Sequence, residues 1–145
     1  MRKVLFVVGA LLLSGCMSTG SQQVAKNDPR PCAKNLTVEG SFITGRQFKT
    51  TGFVSGTSKN KAYQKVYKHL AMEGWNIVNA NKEMGIINAS QAVSFGEGET
   101  APLNVMVEPQ KGGVDVFVSF AIGGGVSTSK DAVIDAFCKI VLSAK

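Results

Sequence analysis

The chain has 145 residues, 44% of them apolar and 18% charged, with three cysteines and a formal charge of +6. That size and apolar content specify one small globular domain and exclude both a pair of domains and a wholly disordered chain. The basic residues are spread along the sequence, which argues against nucleic acid as a partner.

The first fifteen residues form a separate physical object. Arg2 and Lys3 give a positive start, and residues 4–13 give a ten-residue apolar run, well short of the roughly 20 residues that span a bilayer as a permanent helix. An export signal is the reading that fits. The Leu13-Ser14-Gly15-Cys16 sequence that closes it resembles a bacterial lipobox. The resemblance identifies the chain as a bacterial lipoprotein and implies acylation of the Cys16 thiol, cleavage between Gly15 and Cys16, and membrane lipid as a partner through the acylated Cys16. Met17, in place of the aspartate associated with inner-membrane retention, implies an anchor in the outer membrane, facing the periplasm of a host with two membranes. Cleavage there would leave 130 residues and take Lys+Arg from 16 to 14 against 10 Asp+Glu, a mature charge of about +4.

With Cys16 assigned to lipid, Cys32 and Cys138 remain, and an exported compartment permits them to oxidise. One disulfide across that span is worth roughly 4 to 5 kcal/mol of chain entropy. The alternative makes Cys138 a buried small hydrophobe and Cys32 an exposed thiol. Neither lies in a CxxC motif or among clustered histidines and cysteines, so no redox, zinc or other cofactor chemistry is expected. Residues 16–35 are rich in Ser, Thr, Gly, Gln, Asn and Pro and read as a flexible tether, its far end tied down at Cys32 if that residue is bonded to Cys138, with residues 36–145 as the globular domain.

Along that domain, Leu36-Thr37-Val38 and Ser41-Phe42-Ile43 suit short extended pieces, and residues 47–54 suit a strand. From Ser58, the expected N-cap, Ala62, Val66 and Leu70 recur at helical spacing, and Gly74 is placed to end the helix in a left-handed conformation. Residues 75–78 and 86–93 then read as two strands around a turn at 79–85. After a breaker-rich loop, Leu103, Val105 and Val107 alternate until Pro109, which is expected to stop the strand. Val114, Val116, Val118, Phe120 and Ile122 give the cleanest period of two, with Phe117 the one interruption of the polar face. A last helix follows, capped by Thr128 or Ser129, with Val133, Phe137, Ile140, Val141 and Ala144 on its apolar side.

The order is β-α-β-β-β-β-α, and the expected fold is a single α+β domain whose two helices pack on one face of a mostly antiparallel sheet. The chemical candidates within it are few. Gly123-Gly124-Gly125 lacks the spacing of a phosphate loop and reads as a strand-to-helix connection. His69, the single histidine, has no nucleophile elbow near it in sequence, so a hydrolase ranks low. Glu97 and Glu99 share a glycine-rich loop, apart from Glu108, which suits solvated charges better than a catalytic pair. Lys61, Lys65 and Lys68 fall on one face of the first helix, an interaction face for headgroups or an acidic partner, or a solvated surface, with Tyr63, Tyr67 and Trp75 nearby.

The segments Gly74-Trp75-Asn-Ile-Val78 and Met84-Gly-Ile-Ile-Asn-Ala-Ser90 resemble small bacterial lipoprotein domains, in which a helix leads into a "G-aromatic-x-I" strand and then a "G-x-I" strand. The compact α+β modules of the outer-membrane assembly lipoprotein BamC are similar in style. This resemblance implies fold alone and brings no catalytic residue. Together the features predict a non-enzymatic, lipid-anchored envelope protein that contacts an envelope partner. Binding of a small apolar or lipidic ligand between sheet and helices is the alternative.

Overall fold

The structure is a computed structural model and describes residues 22–23, 28–94 and 98–145. The signal segment, Gly15, Cys16 and Glu97 lie outside the described residues. Chain order is β1 (Gln22–Gln23), α1 (Pro31–Lys34), β2 (Thr37–Ser41), β3 (Gly45–Ser55), α2 (Lys59–Met72), β4 (Asn76–Asn81), β5 (Ile86–Ala92), β6 (Thr100–Gln110), β7 (Gly113–Ile122) and α3 (Lys130–Ser143).

Every strand pair is antiparallel, and the sheet order is β1-β2-β3-β7-β6-β5-β4. Two strands an even number of places apart therefore run parallel, so β4 runs parallel to β3, and α2 crosses the sheet between them. The meander from β4 to β7 then fills the space back to β3. Both long helices lie on one face, as the alternating strands require.

Side-chain alternation decides which face that is. Phe48, Thr50, Gly52 and Val54 of β3, the even-numbered valines of β7 and Leu103, Val105 and Val107 of β6 are buried. They meet Ala62, Tyr63, Val66 and Leu70 of α2 and Val133, Phe137, Ile140 and Val141 of α3. Gly52 sets the depth of the last contact: a Cβ there would lie 2.4 Å from Cγ1 of Val141, so glycine lets α3 settle directly on β3.

The helix ends follow local chemistry. Ser58 occupies the N-cap of α2 in an extended conformation, without a side-chain bond to the helix, and Gly74 follows the C-cap Glu73 with φ +83°. Lys59 sits at the positive end of the helix dipole, but its Nζ donates to the Glu83 carbonyl at 2.5 Å, which offsets that placement. Ser129 caps α3, its Oγ accepting the Ala132 N–H at 3.5 Å, and Asp131 lies in the first turn.

Four local departures from the sequence reading have physical causes. Ser41, Phe42 and Ile43 are not an extended piece: Ser41 closes β2, and Phe42 and Ile43 form the tip of the β2–β3 hairpin. The strand β4 runs on to Asn81, through a bulge between Ile77 and Asn79. Pro109 does not stop β6, which continues to Gln110. Val107 donates its N–H to Gly85, and Pro109, two residues on, turns its nitrogen to that same side, beyond the first residue of β5, where no hydrogen bond is needed. Finally, packed structure begins before Leu36, because α1 buries Cys32 and Ala33.

Cys32 and Cys138 form a disulfide, with Cα atoms 5.4 Å apart, that fastens α1 to α3. The attachment is reinforced by polar contacts. Thr50, the buried polar residue of β3, donates its hydroxyl to the Cys32 carbonyl at 2.5 Å, and Asn35 Nδ2 donates to the Thr51 carbonyl at 2.8 Å. Arg30 bridges Asp28 at 2.6 Å and Asp135 of α3 at 2.7 Å. Hydrogen bonds from Arg30 hold the Asp28 carboxyl below its ordinary value, so this exposed contact is present above about pH 4 and is lost as acid titrates the carboxylate.

Gly123-Gly124-Gly125 packs against the β2–β3 hairpin. A Cβ on Gly124 would fall 2.1 Å from the Ile43 carbonyl oxygen, and Gly125 donates its N–H to the Phe42 carbonyl at 2.7 Å. Gly124→Ala is expected to cost about 1 to 3 kcal/mol, since the atom in the way is backbone. A denaturation midpoint unchanged from wild type would contradict that close approach.

Candidate functional site

The parity that turns one set of side chains toward the helices turns the other set away, so that among the described residues no helix covers the second face of the sheet. Register places the residues of this face in rows. Ile86 lies opposite Met106, Met106 opposite Phe117, and Phe117 opposite Thr51, a row that crosses β5, β6, β7 and β3. The next row is Asn88, Asn104, Ser119, Lys49 and Thr37. Asn88 Nδ2 donates to Asn104 Oδ1 at 2.6 Å, and Lys49 pairs with Glu39 at 3.2 Å.

Between these rows lies a groove of about 530 Å³, lined by Lys49, Ile86, Asn104, Met106, Phe117 and Ser119. Ile86, Met106 and Phe117 are half-buried by their neighbours on the strands, while Phe53 stands exposed in the adjacent row. The surface is apolar along one line and carries amide and hydroxyl groups along the next. It suits an occupant with apolar side chains and unpaired peptide or amide groups.

Of this site the sequence signalled Phe117, the apolar residue on an otherwise polar face. Met106 was hidden inside the run Val105-Met106-Val107, and Ile86 in the doublet Ile86-Ile87, where parity alone does not say which residue faces the core. Their convergence is a property of register.

The other candidates go elsewhere. Lys61, Lys65 and Lys68 are exposed on α2, on the opposite side of the sheet from the groove, and Lys65 Nζ donates to the Lys145 carbonyl. Tyr63 is core, its phenol pushed up by burial and by Tyr67, which stacks beside it at 6.4 Å and is partly exposed. Trp75 meets Phe120 edge-on at 6.0 Å. His69 is half-buried near the end of α2. Glu99 and Glu108 are both exposed, and Glu108 faces Asp115 across the β6–β7 pair. Among the described residues no group of three His, Cys, Asp or Glu could hold a metal ion. A space of about 170 Å³ lies between the sheet and α3, beside Trp75, Phe120 and Phe137, smaller than the groove on the open face. No protein-family model matches the chain, and no curated protein matches it.

Proposed function

We propose that the protein is a lipid-anchored, non-enzymatic domain of the bacterial cell envelope that binds another envelope protein on the open face of its sheet. The observation that carries the reading is the Ile86-Met106-Phe117 row. Single exposed apolar residues are ordinary, but three on successive hydrogen-bonded strands make a continuous patch of the kind that marks an interaction surface. The anchor rests on the first sixteen residues, whose charge, apolar length and Cys16 coincide with the lipobox pattern. Met17 favours the outer membrane.

Labelling of cells with a fatty acid, followed by crosslinking in the intact envelope, tests both parts. Wild type is expected to carry the label and to yield a crosslinked adduct, and Cys16→Ser is expected to lose the label. Phe117→Glu is expected to cut adduct yield by about tenfold or more, as for a central interface residue, while leaving the melting temperature nearly unchanged. Unlabelled wild type would overturn the anchor, and an undiminished adduct from Phe117→Glu would overturn the site. A small apolar ligand is the second reading. The volume of the groove favours it, on the open face rather than between sheet and helices.

A further inference from the structure

The tip of the β2–β3 hairpin carries the one adjacent pair of large, exposed apolar side chains among the described residues, Phe42 at 54% and Ile43 at 85% exposure. Neither belongs to the hydrophobic core formed by the described residues. The loop beneath them is nevertheless well built. Ser41 N–H donates to Thr44 Oγ1 at 3.2 Å, Thr44 N–H donates to Ser41 Oγ at 3.1 Å, and the two hydroxyls meet at 2.9 Å. The Phe42 carbonyl accepts the Gly125 N–H. No residue from Ser41 to Gly45 is charged. A tip with apolar side chains outward and its polar groups bonded inward can leave water without stranding a charge or several unpaired groups.

The topology says which end of the molecule an anchor at Cys16 would draw in. Gln22 pairs with Val38, which pairs with Phe48, so the start of β1 is level with Phe48. From that level the sheet runs three residues, about 10 Å, to Gly45 at the tip end, and seven residues, about 23 Å, to Ser55 at the other. Stepping back from Gln23 to Gln22 is a step forward along β2 from Thr37 to Val38, so β1 is directed away from the tip, with Gln22 at its nearer end. Only six residue steps separate Cys16 from Gln22, a covalent reach of about 20 Å at full extension.

We infer that Phe42 and Ile43 insert into the membrane interface beside the acyl anchor, holding the domain with its strands pointing away from the bilayer. The inference rests on the lipid-anchor reading of Cys16. Two side chains at the level of the headgroups add contacts to a bilayer that the anchor already keeps within reach, and they convert a leash into a fixed orientation.

The test uses the acylated protein, purified from membranes and reconstituted into phosphatidylethanolamine–phosphatidylglycerol vesicles with brominated acyl chains. Ile43→Trp places a fluorophore at the tip. Met84→Trp, at an exposed site in the β4–β5 turn at the opposite end of the sheet, serves as its comparison. Both replace exposed side chains, and both are read against the native Trp75 signal. Ile43→Trp is expected to shift its emission to the blue and to be quenched about threefold or more beyond Met84→Trp, as interfacial insertion requires. Fatty-acid labelled, vesicle-bound protein in which the two report alike, or in which Ile43→Trp keeps the emission of water, would overturn the inference and leave the anchor standing. Protein without label that fails to float with vesicles would overturn the anchor and the inference together.

Discussion

Replacing Cys138 with alanine, or reducing its bond to Cys32, is expected to lower stability by about 3 to 5 kcal/mol. The bond closes a sequence separation of 106, so the unfolded chain gains a large amount of freedom when it opens. The loss is also local. Cys32 belongs to a four-residue helix, too short to persist by itself, and with it go the burial of Ala33 and the Thr50 bond to the Cys32 carbonyl. Thermal unfolding with and without reductant would show a melting temperature lower by on the order of 10 to 20 °C. A shift of a few degrees or less would mean that Asp28, Arg30, Asp135 and the apolar contacts hold α1 in place unaided.

The second large effect is expected from Phe48→Ala, at about 3 to 5 kcal/mol. Phe48 is fully buried within the longest pairing in the sheet, three residues from the tip end of β3. Its ring lies 6.2 Å from that of Phe120, which in turn meets Trp75 with the two rings nearly perpendicular, and the Arg46 guanidinium sits 5.8 Å from the centre of the Phe48 ring. Truncation leaves a cavity under α3 and removes the surface on which Arg46 rests. Denaturant unfolding should give a lower midpoint with an unchanged slope. The contrast with Phe117 is instructive. Three residue steps away in the chain-to-sheet register, an aromatic of the same size faces outward, and its loss is expected to register in binding and hardly in stability. Equal destabilisation by Phe48→Ala and Phe117→Ala would mean that the open face is a second core.

How much of this was legible in the sequence depends on whether a pattern is local. The period of two in β7 and the spacing of Ala62, Val66 and Leu70 describe how a segment meets water, and they placed the core faces of β7 and α2 as found. The two cysteines left after Cys16 are joined. Other features depended on neighbours. Pro109 looks like a stop until one knows that the pairing of β6 with β5 reaches only Met106. Lys59 looks misplaced until the β4–β5 turn brings the Glu83 carbonyl to it. The glycine triplet looks like slack chain until the hairpin tip fills the space that the absent side chain of Gly124 leaves. The groove is the extreme case, because Ile86, Met106 and Phe117 come from three strands whose order no single segment encodes.

The order of strands also sets a schedule. The strand β3 has only β2 beside it until β7 exists, and its partners in β7 lie from 58 residues away, at Ser55 and Gly113, to 76 away, at Arg46 and Ile122. A chain delivered from its N-terminus must therefore carry β3 half-paired until β7 arrives, and Cys32 unbonded until Cys138 does. The pairing with the widest separation is made late, and such contacts are slow to form and exposed to competing partners in the meantime. For a protein delivered in that direction, the interval between the appearance of Cys32 and that of Cys138 is the period in which a chaperone or a thiol oxidant has most to do.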